Sequence, residues 1–503
     1  MTARMSTIAA ALPDGQLRGT DVDVIDATHD SSQVQDGWLF CAIVGARCDG
    51  HEFAGEAVER GASGLLVDRW LDVDVPQVRV ASVRAAAGPA AAVVHGHPSA
   101  DLRVIGVTGT NGKTTTTYLL EAAFGACGIG TGLIGTVETR IHGDPIDGLR
   151  TTPEGPDLQR QFAVMRNRGV DAVAMEVSSH GLDLLRVDGT RFDVAVFTNL
   201  SQDHLDWHES MDAYFRAKAR LFTPELADHG VIVVDDSWGR QLAQQATIPV
   251  TTILSAANSR HDAQVTALDW IGDVDGSRAT VDWDGALVEV STRLVGRFNL
   301  TNAIAAAVAA VASGLSRDAV LEGIASCPGA PGRMERIDWP DGPHVFVDYA
   351  HTPAALAAAI AALRELAPQR RLTVVFGAGG ERDPGKRGPM GEAAAYGDIA
   401  IVTSDNPRSE DPQQIIDAIV RGARAVADTR GCELIREPDR RDALNRAIRD
   451  ADEGDVVLIA GKGHERTQQF ADRTISFDDR EVAREILARG SSASAPSARW
   501  RRP

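Results

Sequence analysis

The chain has 503 residues, 44% of them hydrophobic and 24% charged, and carries a net charge of -19. Such a length accommodates roughly two to four domains with sizeable cores, and the composition is that of a globular protein. The acidic balance argues against nucleic acid as a partner, because phosphate backbones demand a basic surface. Anionic ligands must therefore meet local clusters of Arg and Lys.

Residues 1–100 read as a separate unit. Trp38 to Ile43 reads as a strand, Gly45 to Gly50 as a loop, His51 to Gly61 as a short helix and Gly64 to Val67 as another strand. Ala85 to Val94 is an Ala-rich helix, and His97-Pro98 a linker. Then comes Gly109-Thr110-Asn111-Gly112-Lys113-Thr114-Thr115, between an apolar strand (Leu102 to Val107) and a helix (Lys113 to Phe124). Strand, Gly-rich turn and helix make a phosphate cradle: glycines allow close backbone approach, and the helix N-terminus offers unpaired N–H groups and its dipole. Lys113 would reach the β/γ-phosphates, and a Thr hydroxyl can ligate Mg²⁺. The generic pattern has Gly where this chain has Val107.

From 101 to 332 strands alternate with helices, which predicts a mostly parallel sheet. Asp171 to Val177 ends in Glu176-Val177-Ser178-Ser179-His180, and Phe192 to Leu200 in Asn199-Leu200-Ser201-Gln202-Asp203-His204. Gly230 to Asp235 is a further strand and Asn302 to Ala312 an Ala/Val helix. Ligands of open α/β sheets bind at the carboxyl ends of strands, so the phosphate loop, Glu176 and His204 should gather on one edge. A third alternation covers 333–490. Its strands are His344 to Val347, Leu372 to Phe376, Ile399 to Thr403 and Val456 to Ile459, each ending in a Gly-rich or charged turn. The fold class is therefore α/β in three domains, with a central P-loop parallel sheet and a Rossmann-like C-terminal domain. The Ser/Ala/Arg-rich stretch 491–503 reads as a disordered tail. Cys41, Cys48, Cys127, Cys327 and Cys432 form no CxxC pair and no zinc spacing, which suits a reducing cytoplasm. There is no apolar signal-like segment at the start, and no apolar run near the ~18 residues that span a bilayer, so a cytoplasmic protein without membrane insertion is expected.

These motifs together resemble the Mur ligase family, the ATP-dependent amino-acid ligases of peptidoglycan precursor synthesis, from about Asp30 to Glu481. Gly-Thr-Asn-Gly-Lys-Thr is that family's own phosphate loop, which accounts for Val107. Asp405-Asn406-Pro407-Arg408 and Gly461-Lys462-Gly463-His464-Glu465 resemble the subgroup that adds a diamino acid. The resemblance implies ATP-dependent addition of meso-2,6-diaminopimelate to UDP-N-acetylmuramoyl-L-alanyl-D-glutamate through an acyl phosphate. L-lysine, ornithine or diaminobutyrate as the amino acid, or another Mur or folylpolyglutamate-type ligase, are the alternatives. It also implies a monomer whose partners are small molecules.

By the same resemblance, Lys113, Glu176, His204 and Lys218 are catalytic. Thr114, Glu176, His204 and Lys218 serve the Mg²⁺ site, with Lys218 carbamylated to become an oxygen ligand. Read locally, Lys218 is a solvated helix lysine and Glu176 a strand-end salt bridge. Gly109 to Thr115, Asn302, Arg333, Asp348 and His351 would hold ATP. Ser31, Ala46, Arg47, Cys48, Thr151, Thr152, Ser178 and Arg186 would hold the UDP-substrate, the N-terminal domain taking the uridine end, although Thr151-Thr152 before Pro153 also reads as a helix cap. Ser32 and Leu184 stand where the family more often has Arg and Gln. Arg382, Asp405, Asn406, Pro407, Arg408, Gly461 and Glu465 would bind the amino acid. The planar fork of Arg408 would match the far carboxylate of diaminopimelate.

Overall fold

A computed structural model describes residues 2–45, 48–146, 150–255, 262–340 and 342–493, with side chains as far as 489. The chain forms two compact units. The first takes the residues up to Trp270 with Ala279–Thr292 and Leu300–Cys327; the second takes Ile271–Arg278, Arg293–Asn299 and the described residues from Pro328 on.

The first unit holds two larger sheets, besides a short antiparallel pairing of Ala3–Arg4 with Asp23–Val24. Near the N-terminus, β1 (Gln16–Arg18), β2 (Asp26–Thr28), β3 (Trp38–Cys41), β4 (Ala62–Val67) and β5 (Gln77–Arg79) lie in the order β1-β5-β4-β3-β2, parallel except for β1. Helix α1 (Val83–Val94) follows. The second sheet has a parallel core in the order β7-β8-β6-β9-β10-β11, from β6 (Arg103–Thr108), β7 (Thr131–Ile134), β8 (Ala172–Glu176), β9 (Phe192–Phe197), β10 (Ala227–Val233) and β11 (Val250–Leu254). All of β8 is buried, as continuous apolar runs in a parallel sheet require. Helix α2 (Lys113–Ala126) opens on Thr114 to Thr117, β-branched residues of modest helix propensity, and all of them are buried. Packing, not propensity, holds that first turn. Helices α3 (Gly155–Asn167) and α4 (Met211–Ala219) complete the elements that carry the site.

In the second unit, β12 (Glu335–Ile337), β13 (His344–Asp348), β14 (Leu372–Phe376), β15 (Ile399–Val402), β16 (Glu433–Arg436) and β17 (Val456–Ala460) run in the order β12-β13-β17-β14-β15-β16, parallel except for β12. Helices α5 (Pro412–Arg430) and α6 (Arg440–Arg449) alternate with them. A hairpin, β18 (Thr467–Gln469) with β19 (Thr474–Ser476), precedes α7 (Asp479–Ala493).

Several elements differ from expectation. The strand expected over Phe192 to Leu200 stops at Phe197, because Thr198 and Asn199 turn their side chains onto the Asn111 backbone. The helix expected over His51 to Gly61 is a 3₁₀ turn, Gly50–Phe53, followed by the α-helix Ala54–Glu59. The Asp49 carboxylate caps that turn by accepting from His51 N. The antiparallel strands Val265–Ala267, Gly276–Trp283 and Ala286–Thr292 were not foreseen. Helix α7 runs to Ala493, past the point where the tail composition begins. Among the described residues no helix is long and apolar enough to cross a membrane.

Candidate active site

The phosphate loop sits between β6 and α2. Val107 is paired in register with Glu176 on one side and Val196 on the other, so this position belongs to the buried strand and needs no glycine. Two glycines are obligatory. Gly109 has φ 148°, and a Cβ there would collide with Thr198 Oγ1; Gly112 has φ 89°, and a Cβ there would collide with Asn302 Oδ1. Asn302 is thus packed against the cradle. The loop is tied down by Thr110 N and Asn111 N, which donate to Asn199 O (2.9 Å) and Asn199 Oδ1 (3.1 Å). Lys113 Nζ folds back onto Gly109 O and Thr110 O, both at 3.0 Å.

Glu176 ends β8 and is buried. Its Oε1 accepts from Thr114 Oγ1 (2.9 Å) and Thr136 N (2.8 Å), and Oε2 from Thr136 Oγ1 (2.9 Å). Among the described residues it pairs with no cation, so the salt-bridge alternative is not what the structure contains. Lys218 is likewise no solvated lysine. It is 1% exposed, donates to Gly109 O at 2.8 Å, and lies 4.6 Å from the Tyr214 ring centroid. Burial, and then the neighbouring Lys113 ammonium, push its amine well below the usual lysine range. His204 has φ 52°, and its ring is edge-on to His180 at 4.8 Å and to Tyr214 at 6.1 Å. Burial lowers its pKa, against the pull of Asp203. Its side chain does not cap the helix that follows, Leu205–His208.

Among the described residues no three His, Cys, Asp or Glu side chains are grouped to hold a metal. The donors at this edge are one carboxylate, the Thr114 hydroxyl, and a buried amine beside a second ammonium. Mg²⁺ takes oxygen ligands. The set fits it once the Lys218 amine, whose charged form burial disfavours, carries a carboxylate as a carbamate.

Next to Glu176, Thr152 Oγ1 lies 3.0 Å from both Glu176 O and Ser178 Oγ, and Thr136 Oγ1 lies 3.0 Å from Thr151 Oγ1. The N-cap of α3 is Glu154, so Thr151 and Thr152 do not cap it. Instead they join the Glu176 edge. Glu154 is buried and gathers Arg150 Nη1 (2.6 Å), Arg186 Nε (2.9 Å) and Arg84 Nη1 (3.5 Å). That grouping leaves an excess of positive charge suited to an anionic ligand. Sequence reasoning missed Arg84, Arg150 and Glu154; Arg150 adjoins Thr151, but Arg84 comes from helix α1 and carries no local signal. Leu184, one of the departures, presents only its carbonyl, to Arg84 Nη1 at 3.4 Å. Ser32 donates to Asp30 Oδ1 (2.7 Å), and Ser31 Oγ to Glu56 Oε2 (3.1 Å). Cys48 is exposed and its carbonyl accepts from Gly45 N; Ala46 and Arg47 lie outside the described residues.

In the second unit, Arg333 stacks over Tyr349 at 4.3 Å, and Asp348 accepts from Met334 N (2.7 Å) and Ala350 N (2.9 Å). Burial raises the Asp348 pKa, with Arg333 opposing. His351 Nδ1 lies 2.8 Å from Tyr349 O, and Lys386 Nζ donates to His351 O at 3.0 Å. Gly461 N donates to Asp348 O (3.1 Å), which joins this end to the turn after β17. Arg408 has φ 53°, donates from Nη1 to Gly380 O (2.6 Å) and from N to Gln469 O (3.1 Å). Arg382 and Arg408 flank Gly379: a Cβ there would lie 3.1 Å from Arg408 Nη1 and 3.6 Å from Arg382 Cγ. Asn406 Nδ2 donates to Glu465 Oε2 at 2.8 Å, Pro407 O accepts from Glu410 N at 3.1 Å, and a Cβ on Gly461 would lie 2.7 Å from Asp405 Oδ2. The amino-acid-binding residues expected from the sequence thus form one cluster.

The order of domains matches three family models: the Mur ligase family catalytic domain over residues 27–105, the Mur ligase middle domain over 107–310 and the Mur ligase glutamate ligase domain over 332–463. The chain belongs to the Mur ligase family. A relative in Streptomyces coelicolor, named UDP-N-acetylmuramoyl-L-alanyl-D-glutamate–2,6-diaminopimelate ligase, is 45% identical over 487 residues, covering 95% of this chain and 94% of its own. A solved structure of a ligase of that name is 31% identical with TM-score 0.72, covering 98% of this chain and all (100%) of its own. Folylpolyglutamate synthase of Mycobacterium tuberculosis, with TM-score 0.60, 21% identity and coverage of 82% of this chain and 96% of its own, shares the fold.

Proposed function

We propose that the chain is an ATP-dependent ligase that joins meso-2,6-diaminopimelate to UDP-N-acetylmuramoyl-L-alanyl-D-glutamate in peptidoglycan precursor synthesis. The observation that carries this reading is the pairing of Arg382 and Arg408 around Gly379, with the adjoining Asn406 bonded to Glu465, in a chain 45% identical to a ligase named for that reaction. The substrate carboxylate takes the γ-phosphoryl of ATP and ADP leaves; the amine then attacks the acyl carbon, expels phosphate and loses a proton. Two anions must first meet, so catalysis is mostly positioning and charge stabilisation. Lys113 would leave its own loop carbonyls to neutralise the phosphates. Arg186, with Arg84 and Arg150 around Glu154, would hold the anionic acceptor next to Thr152 and Ser178. Arg333, Asp348 and His351 would bind ATP. Thr114, Glu176, His204 and the carbamate of Lys218 would hold Mg²⁺, which screens the charge between the reacting anions. Arg408 and Arg382 would take the far carboxylate, and Glu465 the far ammonium. A ligation assay with ATP, the UDP-muramoyl-dipeptide and a panel of diaminopimelate, lysine, ornithine and diaminobutyrate tests it. Product with diaminopimelate alone is expected, and equal use of lysine would overturn the specificity.

A further inference from the structure

Lys462 follows β17 and is fully buried, at 0% exposure. A lysine ammonium has three donors and no acceptor. Here they meet Thr467 O (2.6 Å), Glu465 Oε2 (3.0 Å) and Asn406 Oδ1 (3.3 Å). The partners are themselves linked. Asn406 Nδ2 donates to the same Glu465 Oε2 (2.8 Å), Gln469 N donates to Asn406 Oδ1 (3.0 Å), and Gln469 O accepts from Arg408 N (3.1 Å). One side chain therefore ties the turn after β15, the turn after β17 and the β18–β19 hairpin. A second buried cation, Arg440, works beneath it on other atoms. It pairs with Asp479 and donates to Ser404 O and Ala460 O, holding the strand ends without bonding Glu465 or Asn406.

We propose that Lys462 is a positioning residue for the incoming amino acid. It fixes the Glu465 carboxylate directly and the Arg408 backbone through Asn406 and the hairpin, and so sets the spacing between the anion and the cation that face the substrate. The proposal rests on the reading of this end as the amino-acid site. The geometry favours it over a fold-stabilising role, because two of the three bonds of Lys462 end on Glu465 and Asn406, whereas those of Arg440 end on Asp479 and on the carbonyls of Ser404 and Ala460.

The test is steady-state kinetics of Lys462→Met, which keeps much of the apolar stem and removes the ammonium. The KM for diaminopimelate should rise about ten- to a hundredfold, the effect of losing a charge-assisted bond, while the KM values for ATP and the UDP-muramoyl-dipeptide stay within about twofold. In a Glu465→Gln background the same substitution should add less than its single effect, since its charged partner is gone. An unchanged diaminopimelate KM, an equal rise in all three KM values, or single effects that multiply would each overturn the proposal. Should Lys462→Met fail to fold, Lys462→Gln, which keeps a polar head but removes the charge that holds Glu465, reads the same selective rise and is overturned by the same outcomes. Wild-type enzyme that consumes no diaminopimelate overturns the functional reading and this inference with it; wild-type turnover with an unaltered KM in the variants overturns the inference alone.

Discussion

The two ligand-facing regions handle charge in opposite ways. In the first unit, cations outnumber their counter-charges. Arg84, Arg150 and Arg186 share one carboxylate, Glu154, and Lys113 and Lys218 both donate to one uncharged carbonyl, Gly109 O. In the second unit, Lys462 is matched to Glu465, Arg387 to Glu410 and Arg440 to Asp479. Three guanidinium groups around one carboxylate repel one another unless a ligand supplies further negative charge. On the proposed function the first region would receive triphosphate and carboxylate, and the second a ligand that brings both signs, as a diamino dicarboxylic acid does.

The largest effect should come from the first region. Lys113→Ala removes the side chain that, on the proposed function, neutralises the phosphates, and ligation should fall by about a thousandfold or more with the fold intact. Product formation and a thermal melt on the same sample check it; near-normal turnover would break the contrast at its strongest point. Lys218→Ala should be nearly as severe, because it deletes both a buried amine and the oxygens a carbamate would bring. Acetate should restore part of the activity by occupying the vacated space, and full activity without acetate would return Lys218 to a packing role.

Arg408→Ala probes the second region. Wild-type enzyme should discriminate against lysine, because lysine leaves a guanidinium without its carboxylate, a penalty of about 1–3 kcal/mol. The variant should lose about ten- to a hundredfold of the preference for diaminopimelate over lysine, read as a ratio of kcat/KM values. Its effect on ATP affinity should be small. A variant that kept the preference would move selectivity to Arg382 or elsewhere.

What the sequence made legible follows the same division. Strand ends, the phosphate loop and the Gly-rich turns of the second unit were readable, since apolar runs closed by polar turns mark the edge of a parallel sheet. The helix lysine was not: nothing around Ala217-Lys218-Ala219 signals that α4 presses that face onto the Gly109 carbonyl. Nor could Glu154 be foreseen as a hub, because Arg84 and Arg186 come from segments remote in the chain. Lys462 stood inside a readable motif, but its role depends on a hairpin whose polar sequence gives little strand signal.

The smallest effect concerns acid stability, and it too separates the regions. His180 lies within 6 Å of His204 and His208, at ring distances of 4.8 and 5.6 Å. Burial, then its two histidine neighbours, hold its pKa down at about 4, from an ordinary 6.5. In the second unit His464 is also pushed down to about 4, by burial and then by Arg333 and Arg480. A histidine whose folded pKa is depressed takes up its proton first in the unfolded chain as pH falls. Its favourable contribution is therefore complete above about pH 6.5 and is lost on acidification from there towards about 4. His180 is half-buried and His204 exposed, so solvent screening reduces the effect. The protein should melt a few degrees lower at pH 5 than at pH 7. The loss should be larger in the first unit, where His204 and His208 are lowered as well and would charge beside His180. His180→Gln removes one charge from that group and should flatten the pH dependence, whereas His464→Gln should flatten it less. Hydrogen exchange at the two pH values, resolved by peptide, assigns the loss to its unit. Equal acid sensitivity of the two units, or a His180→Gln protein with the full wild-type drop, would show that the histidine group does not set it.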